Sequence, residues 1–221
     1  MTGAALVVGA SSAIGTAIAG ELAGRGHDLV LWGRDRARLA ASPGRADVVE
    51  LTDRASVAAA LDRLPERLSV VVYAAGLFDW APADAGDPDT WDELVAVNLG
   101  AAMRVTRGVL PALLAGAPST LVLLGSGAAR TAFPGNPAYV ASKHGLAGFA
   151  RSVFLDVRDR DVAVCLLSPG LVAAGAGLGA PGVVPERLLQ PADVAAAVGW
   201  VVGTPAHVCP VEMELQPQRT P

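Results

Sequence analysis

Two residues of the segment YVASK, Tyr139 and Lys143, have the types and the spacing of an acid/base pair. On a helix, residues four positions apart lie on the same face, so the phenol and the ammonium group would be neighbours. A nearby ammonium group lowers the tyrosine pKa from about 10, which makes the phenol a usable proton donor and acceptor. Lys143 is the one lysine among seventeen basic residues. Its compact head suits this role, whereas the broad planar fork of arginine would not fit the same space.

Two further polar residues, Ser126 and Asn98, occupy positions where chemistry is expected. Ser126 ends the strand-like run STLVLLGS, and the carboxyl ends of parallel strands face the crevice where ligands bind. Its hydroxyl could hold a substrate carbonyl oxygen beside Tyr139; a cap or turn role is the alternative. Asn98 lies inside a long helical pattern, where asparagine is unfavourable. It therefore needs a polar partner, such as a buried water, or marks a kink.

The elements that must position these residues alternate regularly along the chain. Apolar runs rich in Val and Leu predict strands buried on both faces, and strict alternation with helices predicts parallel βαβ units. The strand candidates are 4–10, 28–33, 46–51, 68–75, 119–125, 161–168 and 207–215. The helix candidates are near 14–25, 35–41, 54–63, 88–115, 137–159 and 191–203. We expect an α/β fold: a single domain over 1–221, with a doubly wound (Rossmann) parallel sheet of about seven strands and helices on both faces.

The first strand candidate runs into GASSAIG, a turn with Gly9 and Gly15 that opens a helix. In a doubly wound fold, glycines there let the backbone approach a dinucleotide pyrophosphate, and the helix N-terminus supplies N–H donors. A plain turn is the alternative. The second strand ends at Gly33, and Arg34 follows where an NAD site would place a carboxylate. A guanidinium can bind a 2′-phosphate in a bidentate manner, so NADP(H) is favoured over NAD(H), although Asp35 and a solvated helix start remain alternatives.

Composition excludes several classes of function. Hydrophobic residues make up 52% and charged residues 17%, which predicts a compact globular protein. A net charge of −4 without a basic block argues against nucleic acid or an anionic membrane as a partner. The chain lacks a membrane-length apolar run, and its start lacks the basic region of a signal peptide, so a cytoplasmic protein is expected. Cys165 and Cys209 are expected to be buried free thiols, with a disulfide as the alternative, and no metal-ligand spacing occurs.

Together with YAAG (73–76), VNLG (97–100), GSGAA (125–129) and SPGLV (168–172), these motifs resemble the short-chain dehydrogenase/reductase family, NADP-preferring type. The resemblance implies hydride transfer between a nicotinamide and a carbonyl or alcohol carbon. Tyr139 would be the general acid/base, Lys143 the residue that tunes its pKa and anchors the ribose, and Ser126 the donor to the substrate oxygen. Asn98 would hold a water that links Lys143 to solvent. The helices near 88–115 and 137–159 would form the faces of a homodimer or homotetramer.

The resemblance also implies a set of cofactor contacts along the crevice. These are Gly9, Ser11, Ser12, Ala13, Ile14, Gly15, Arg34, Glu50, Leu51, Ala74, Ala75, Gly76, Tyr139, Lys143, Pro169, Gly170 and Val172. The chain departs from the family pattern at Val8, Ala13, Ala74 and Ala174, where the family usually has Thr, Gly, Asn and Thr. These departures bear on cofactor affinity, and none touches the four catalytic groups.

The substrate end of the crevice is less well defined by sequence. The Gly- and Pro-rich segment 169–190 is expected to be a substrate loop or a plain connection, and the tail QPQRTP a solvated end. Phe133, Pro134 and Asn136, with Phe78 and Trp80, could line or cover the pocket. Apolar loops with few charges predict a neutral or mostly apolar carbonyl substrate. Two alternatives are an NADP-sensing regulator without turnover and an epimerase that oxidises its substrate transiently.

Overall fold

The computed structural model describes residues 2–180 and 182–219. Over these residues, seven parallel strands form one sheet in the order β3-β2-β1-β4-β5-β6-β7. The strands are β1 (Ala4–Val8), β2 (Asp28–Gly33), β3 (Arg45–Val48), β4 (Val70–Tyr73), β5 (Ser119–Leu124), β6 (Val162–Pro169) and β7 (Glu212–Leu215). The strand order reverses between β1 and β4. A crevice at the carboxyl ends of the strands is expected at this point of a doubly wound sheet.

The helices cover both faces of the sheet. They are α1 (Ala13–Gly24), α2 (Arg36–Leu39), α3 (Arg54–Leu61), α4 (Pro88–Val95), α5 (Ala102–Ala115), α6 (Pro137–Val157) and α7 (Pro191–Val202). One core joins α3, α5 and α6 to one sheet face, and a second joins α1, α2 and α7 to the other. Alternate strand residues serve the two cores: Leu6 packs in the first and Val7 in the second, both fully buried. The predicted α/β class and parallel doubly wound sheet are confirmed.

The predicted single helix over 88–115 is wrong. A π-helical segment, Ala96–Ala101, separates α4 from α5. Inside it, the buried Tyr73 hydroxyl donates to Val97 O at 2.7 Å, and the Asn98 side chain bonds to the backbone of Leu77. These bonds tie the helix to the end of β4. Single-turn π-bulges of this kind are frequent at functional sites.

Several predicted strands are shorter than expected. β3 ends at Val48 rather than at 51, and β7 begins at Glu212 rather than at 207. Pro210 lies within the predicted last strand, and proline cannot donate to a sheet ladder. The segment 169–190 contains two 3₁₀ turns, Gly175–Gly179 and Pro185–Arg187, and a bridge from Val172 to Leu189 ties its two ends together.

Candidate active site

A cleft of about 1100 Å³ runs along the carboxyl ends of the strands. It extends from Ser12 at the start of α1, past Ser126 at the end of β5, to the C-terminal residues Gln216 to Arg219. A smaller cavity of about 130 Å³ adjoins it beyond β1 and β2. The two share Ala74 to Leu77, the residues that follow β4. The crevice is therefore continuous across the point where the strand order reverses.

The turn between β1 and α1 has no room for a side chain at either glycine. Gly9 has a φ of +86°, and a Cβ there would lie 2.6 Å from the backbone nitrogen of Ala75. A Cβ on Gly15 would overlap the carbonyl oxygen of Gly9. Ser12 caps the helix, because its Oγ accepts from the Gly15 N–H at 3.0 Å and donates to Gly9 O at 2.9 Å. This geometry leaves a backbone cradle at a helix N-terminus, which suits a phosphate group.

At the end of β2, the Arg34 guanidinium faces the cavity, whereas the Asp35 carboxylate is engaged in helix α2. Arg34 is exposed and lines the smaller cavity, where its charge helps to lower the pKa of Glu50. The main cause of that lowered pKa is the hydrogen bond from the Thr52 N–H. Asp35 is the N-cap of α2: its Oδ1 accepts from two backbone amides, and its other oxygen pairs with Arg38 at 3.3 Å. Both carboxylate oxygens of Asp35 thus have partners within α2. This argues against the alternative that Asp35 binds a ribose hydroxyl.

Ser126, Tyr139 and Lys143 meet in the larger cleft, beyond the ends of β5 and β6. Pro137 opens α6, whose first turns carry Tyr139 and Lys143 on one face. The Lys143 Nζ lies 5.7 Å from the centre of the Tyr139 ring and donates to Leu124 O at 2.9 Å. Ser126 caps a short 3₁₀ turn through a bond from the Ala128 N–H. Ser126 therefore fills both of the roles that the sequence left open: it caps a turn, and it lines the cleft.

The pKa values of the pair are set mainly by burial. Burial raises the pKa of Tyr139, and the neighbouring Ser126 hydroxyl only partly opposes that shift. The expectation that Lys143 lowers the tyrosine pKa stays a prediction. Burial also lowers the pKa of Lys143, to about 8, because a low-dielectric site disfavours the ammonium form. At neutral pH, Tyr139 is thus a hydroxyl that can donate a proton.

Asn98 has the polar partners that its position in a helix demanded. Its Oδ1 accepts from the Leu77 N–H at 2.7 Å, and its Nδ2 donates to Leu77 O at 2.9 Å and to Ser142 Oγ at 3.1 Å. Asn98 is fully buried and does not bond Lys143 directly. Both side chains nevertheless approach Gly76, where an added Cβ would lie 3.3 Å from Asn98 Oδ1 and 3.7 Å from Lys143 Nζ. Of the two alternatives, polar partners or a kink, the polar partners are confirmed.

Aromatic rings form one side of the site. The Phe78 ring packs edge-on against Tyr139 with 4.6 Å between ring centres, and against Trp80 at 4.7 Å. Phe133 and Asn136 line the same cleft. Among the described residues, the Asn136 Oδ1 is one of four buried side-chain atoms without a hydrogen-bond partner. The expectation that these residues surround the pocket is confirmed.

Most of the predicted site residues lie in the crevice. The small cavity brings together Gly9, Ser11, Ser12, Arg34, Glu50, Leu51, Ala74, Ala75 and Gly76. The larger cleft adds Ala13, Ile14, Ser126, Tyr139, Lys143, Pro169, Gly170 and Val172. Gly15 and Asn98 line neither cavity. Gly15 packs against the turn at Gly9, and Asn98 binds the backbone of Leu77.

Sequence reasoning missed some residues and misplaced others. Arg38 lines the large cleft and carried a signal, because it lies four positions after Arg34 at the start of a helix. The tail, expected to be a solvated end, is exposed at Gln216, Gln218 and Arg219, and Gln216 to Arg219 also form a wall of the cleft; Thr220 and Pro221 lie outside the described residues. Cys209, expected to be buried, is half-buried, and its Sγ lies 3.6 Å from Val164 O.

The crevice fits a dinucleotide on the evidence of its own atoms. The glycine turn leaves no Cβ between the backbone and the crevice, and two arginines stand beyond it. The fully buried Trp32 lines the small cavity, and its Nε1–H has no acceptor among the described residues. Residues 2–180 and 182–219 contain neither a group of three potential metal ligands nor a helix long and apolar enough to cross a membrane. The crevice therefore has the form of a dinucleotide site, with Ser126, Tyr139 and Lys143 grouped at one end.

Comparison with known proteins gives the family. A model described as short chain dehydrogenase matches residues 3–177, and the chain belongs to that family. It is 31% identical to sulfoacetaldehyde reductase 2 of Chromohalobacter salexigens, over 99% of this chain and 96% of that protein. A short chain dehydrogenase from Escherichia coli CFT073, solved with NADPH, is 25% identical with a TM-score of 0.89, covering 99% and 97% of the chains. An alcohol dehydrogenase from Thermococcus sibiricus, solved with 5-hydroxy-NADP, is 25% identical with a TM-score of 0.89, covering 100% and 99%.

Proposed function

We propose that this protein is an NADP(H)-dependent oxidoreductase that transfers a hydride between the nicotinamide and a carbonyl compound or secondary alcohol. The observation that carries the proposal is the meeting of the Ser126 hydroxyl, the Tyr139 phenol and the buried Lys143 ammonium group in a cleft that continues into a phosphate-binding turn. Relatives with the names of aldehyde reductase and alcohol dehydrogenase support the same reaction class.

In the reducing direction, Tyr139 donates its proton to the substrate oxygen, and Ser126 holds that oxygen by a second hydrogen bond. The raised pKa of Tyr139 keeps the phenol protonated at neutral pH, which favours donation. When bound, the nicotinamide supplies the hydride. Lys143 is fixed through Leu124 O, and its remaining N–H bonds are free to orient a ribose hydroxyl. The aromatic side formed by Phe78 and Trp80 limits the access of water to Tyr139.

The cofactor is NADP(H), with NAD(H) less favoured. Arg34 stands at the small cavity and Arg38 at the adjoining end of the cleft, so two guanidinium groups are available to a 2′-phosphate. Asp35 is held by the backbone amides of α2 and is not aimed at a ribose. Two of the structurally similar proteins were solved with NADPH or an NADP derivative, which supports the same choice.

Three further predictions belong to this proposal. Ala174 to Gly177 line the cleft, which supports a substrate loop within 169–190 of a single domain spanning 1–221. Met103 on α5 and Leu155 on α6 are exposed apolar side chains, and they support a homodimer or homotetramer that uses these helices. The cytoplasmic location and the lack of nucleic-acid and membrane partners stay predictions.

The test is NADPH consumption by the purified protein with a panel of aldehydes and ketones, beside NADH under the same conditions. We expect turnover with NADPH and a rate at least tenfold lower with NADH. Arg34→Ala should weaken NADPH binding by about tenfold, the worth of one charge-assisted hydrogen bond, and leave NADH binding unchanged. The matched control is Arg67→Ala, an exposed arginine outside the lining of both cavities.

Two outcomes would count against this proposal. Binding of NADPH without consumption of it by any carbonyl compound would favour the regulator alternative. Conversion of a substrate without net NADPH consumption would favour the epimerase alternative.

A further inference from the structure

The C-terminal segment that forms one wall of the cleft, Gln216 to Arg219, is held in place by a chain of polar contacts. Arg130, just after the Ser126 turn, pairs with Glu212 at 2.7 Å and approaches Glu214 at 3.9 Å. Arg151 on α6 binds the other oxygen of Glu212 at 3.1 Å. Glu214 in turn accepts from Gln216 Nε2 at 2.7 Å. The tail is therefore tied to the elements that carry Ser126 and Tyr139.

Gln216 lies directly over the catalytic end of the cleft. Its Nε2 is 3.6 Å from the point where a Cβ on Gly127 would lie. A Cβ on Gly170 would collide with Gln216 Oε1 and would lie 3.1 Å from Pro217 Cδ. Gly127 follows Ser126, and Gly170 follows β6, so the tail packs on both turns that face the substrate. Arg219 lies three residues further on, within about 10 Å of chain from Gln216.

The charged side chains that line the cleft are all basic. Its lining includes Arg38, Lys143 and Arg219, and none of the described residues that line it is an Asp or a Glu. The whole chain nevertheless carries a net charge of −4, so this distribution is not a reflection of composition. Arg38 is at the opposite end, paired with Asp35, and Lys143 is buried against Leu124 O. Arg219 is exposed and forms no ion pair with a carboxylate of residues 2–180 or 182–219.

We propose that Arg219 binds an anionic group of the substrate, so that the enzyme selects carbonyl compounds that carry a carboxylate or sulfonate. This inference rests on the proposed function and replaces the expectation of a neutral or apolar substrate. Arginine suits the task, because its planar fork matches a carboxylate or sulfonate in a bidentate manner. An acid-free cleft leaves such a group without a repelling neighbour. Glu214 is a positioning residue, since it fixes Gln216 and with it the direction of the tail.

The test compares 4-oxobutanoate with its methyl ester, which differ in charge and little else. Calorimetry measures the binding of each to the NADP+-saturated protein, and kinetics measures kcat/KM for each with NADPH. We expect the acid to bind at least tenfold more tightly than the ester. Arg219→Gln should remove that preference through KM, with NADP+ affinity and kcat/KM for the ester within twofold of the unmodified protein. Arg67→Gln, at an exposed arginine outside both cavities, is the matched control and should retain the preference. Glu214→Gln should raise KM for the acid and leave kcat unchanged.

The possible results separate this inference from the function beneath it. NADP+ binding with equal affinity for acid and ester would overturn the anionic-substrate inference and leave the proposed function intact. Weaker NADP+ binding by Arg219→Gln would also overturn it, because Arg219 would then serve the phosphates of the cofactor. No binding of NADP+ or NADPH by the unmodified protein would overturn the proposed function and this inference together.

Discussion

The two halves of the crevice are built by different means. At the β1–β2 half, the backbone forms the site: Gly9 and Gly15 let the chain pack where a Cβ would collide, and Ser12 caps the helix behind them. At the β4–β6 half, buried side chains form the site, with Lys143 and Asn98 each held by specific hydrogen bonds. The backbone half therefore requires that Cβ atoms be absent at the two glycines. The side-chain half requires that particular side chains be present.

The chain departs from its family pattern in both halves. Val8, Ala13 and Ala74 lie around the backbone half, and Ala174 lines the larger cleft. Ala74 still donates its N–H to Val8 O at 2.8 Å and so keeps β4 joined to β1. The four side chains that act by their chemistry, in the other half, are unchanged. Cofactor binding should therefore tolerate these departures.

The sharpest test of the backbone half is Gly15→Ala. Its Cβ would overlap Gly9 O, so the turn must shift; we expect at least a 100-fold loss of NADPH affinity and a stability loss of about 1–3 kcal/mol. Gly20→Ala in the same helix meets nothing within 4 Å and should gain about 1 kcal/mol from helix propensity alone. Fluorescence titration and urea unfolding measure both. Equal NADPH affinity in the two variants would remove the distinction between a backbone half and a side-chain half.

In the side-chain half, Lys143→Met should lower kcat and raise the free energy of unfolding. Loss of the ammonium group should lower kcat by about 100-fold, the scale of one acid/base partner. The lowered pKa of Lys143 means that its burial costs about 3 kcal/mol at neutral pH, and the lost bond to Leu124 O offsets about 1 kcal/mol of the gain. We therefore expect the variant to be about 2 kcal/mol more stable at pH 7.

The pH dependence of that gain has a definite sign. Below pH 8, Lys143 is charged in both the folded and the unfolded state, so the full cost of burial is present. Between pH 8 and 10.5, only the unfolded chain keeps the proton, so the stability of the unmodified protein rises with pH relative to the variant. Urea unfolding of both proteins at pH 7 and pH 9.5 measures the change. An advantage of the variant that grows with pH would contradict a lowered lysine pKa.

A smaller effect is expected from Asn98→Ala, which removes a support of the side-chain half. The N–H and C=O of Leu77 would lose their partners, at a cost of about 2 kcal/mol in stability. The turn after β4 would loosen beside Lys143, and we expect about a tenfold lower kcat with a KM for NADPH within threefold. Ser152→Ala, on the exposed face of α6, is the control and should change neither quantity. An unchanged kcat with the full loss of stability would reduce Asn98 to a structural residue.

The sequence predicted the sheet and the grouping of Tyr139 with Lys143 because both rest on local patterns. Alternating apolar runs define the strands, and a spacing of four residues defines the Tyr139–Lys143 face. Three features could not be predicted from the sequence, because they depend on contacts between distant residues. The π-helical segment arises from contacts between Asn98 and Leu77, twenty-one residues apart. The upward pKa shift of Tyr139 arises from burial, which follows from packing rather than from sequence neighbours. The position of the tail depends on ion pairs from Arg130 and Arg151, more than sixty residues away.

The most direct test of the central claim is Tyr139→Phe, with NADPH binding and NADPH consumption measured on the same preparation. The variant removes one oxygen from the side-chain half and leaves the backbone half untouched. We expect the dissociation constant for NADPH to stay within twofold and turnover of the best carbonyl substrate to fall at least 100-fold. Turnover within fivefold of the unmodified protein, with NADPH still bound, would contradict the assignment of Tyr139 as the proton donor.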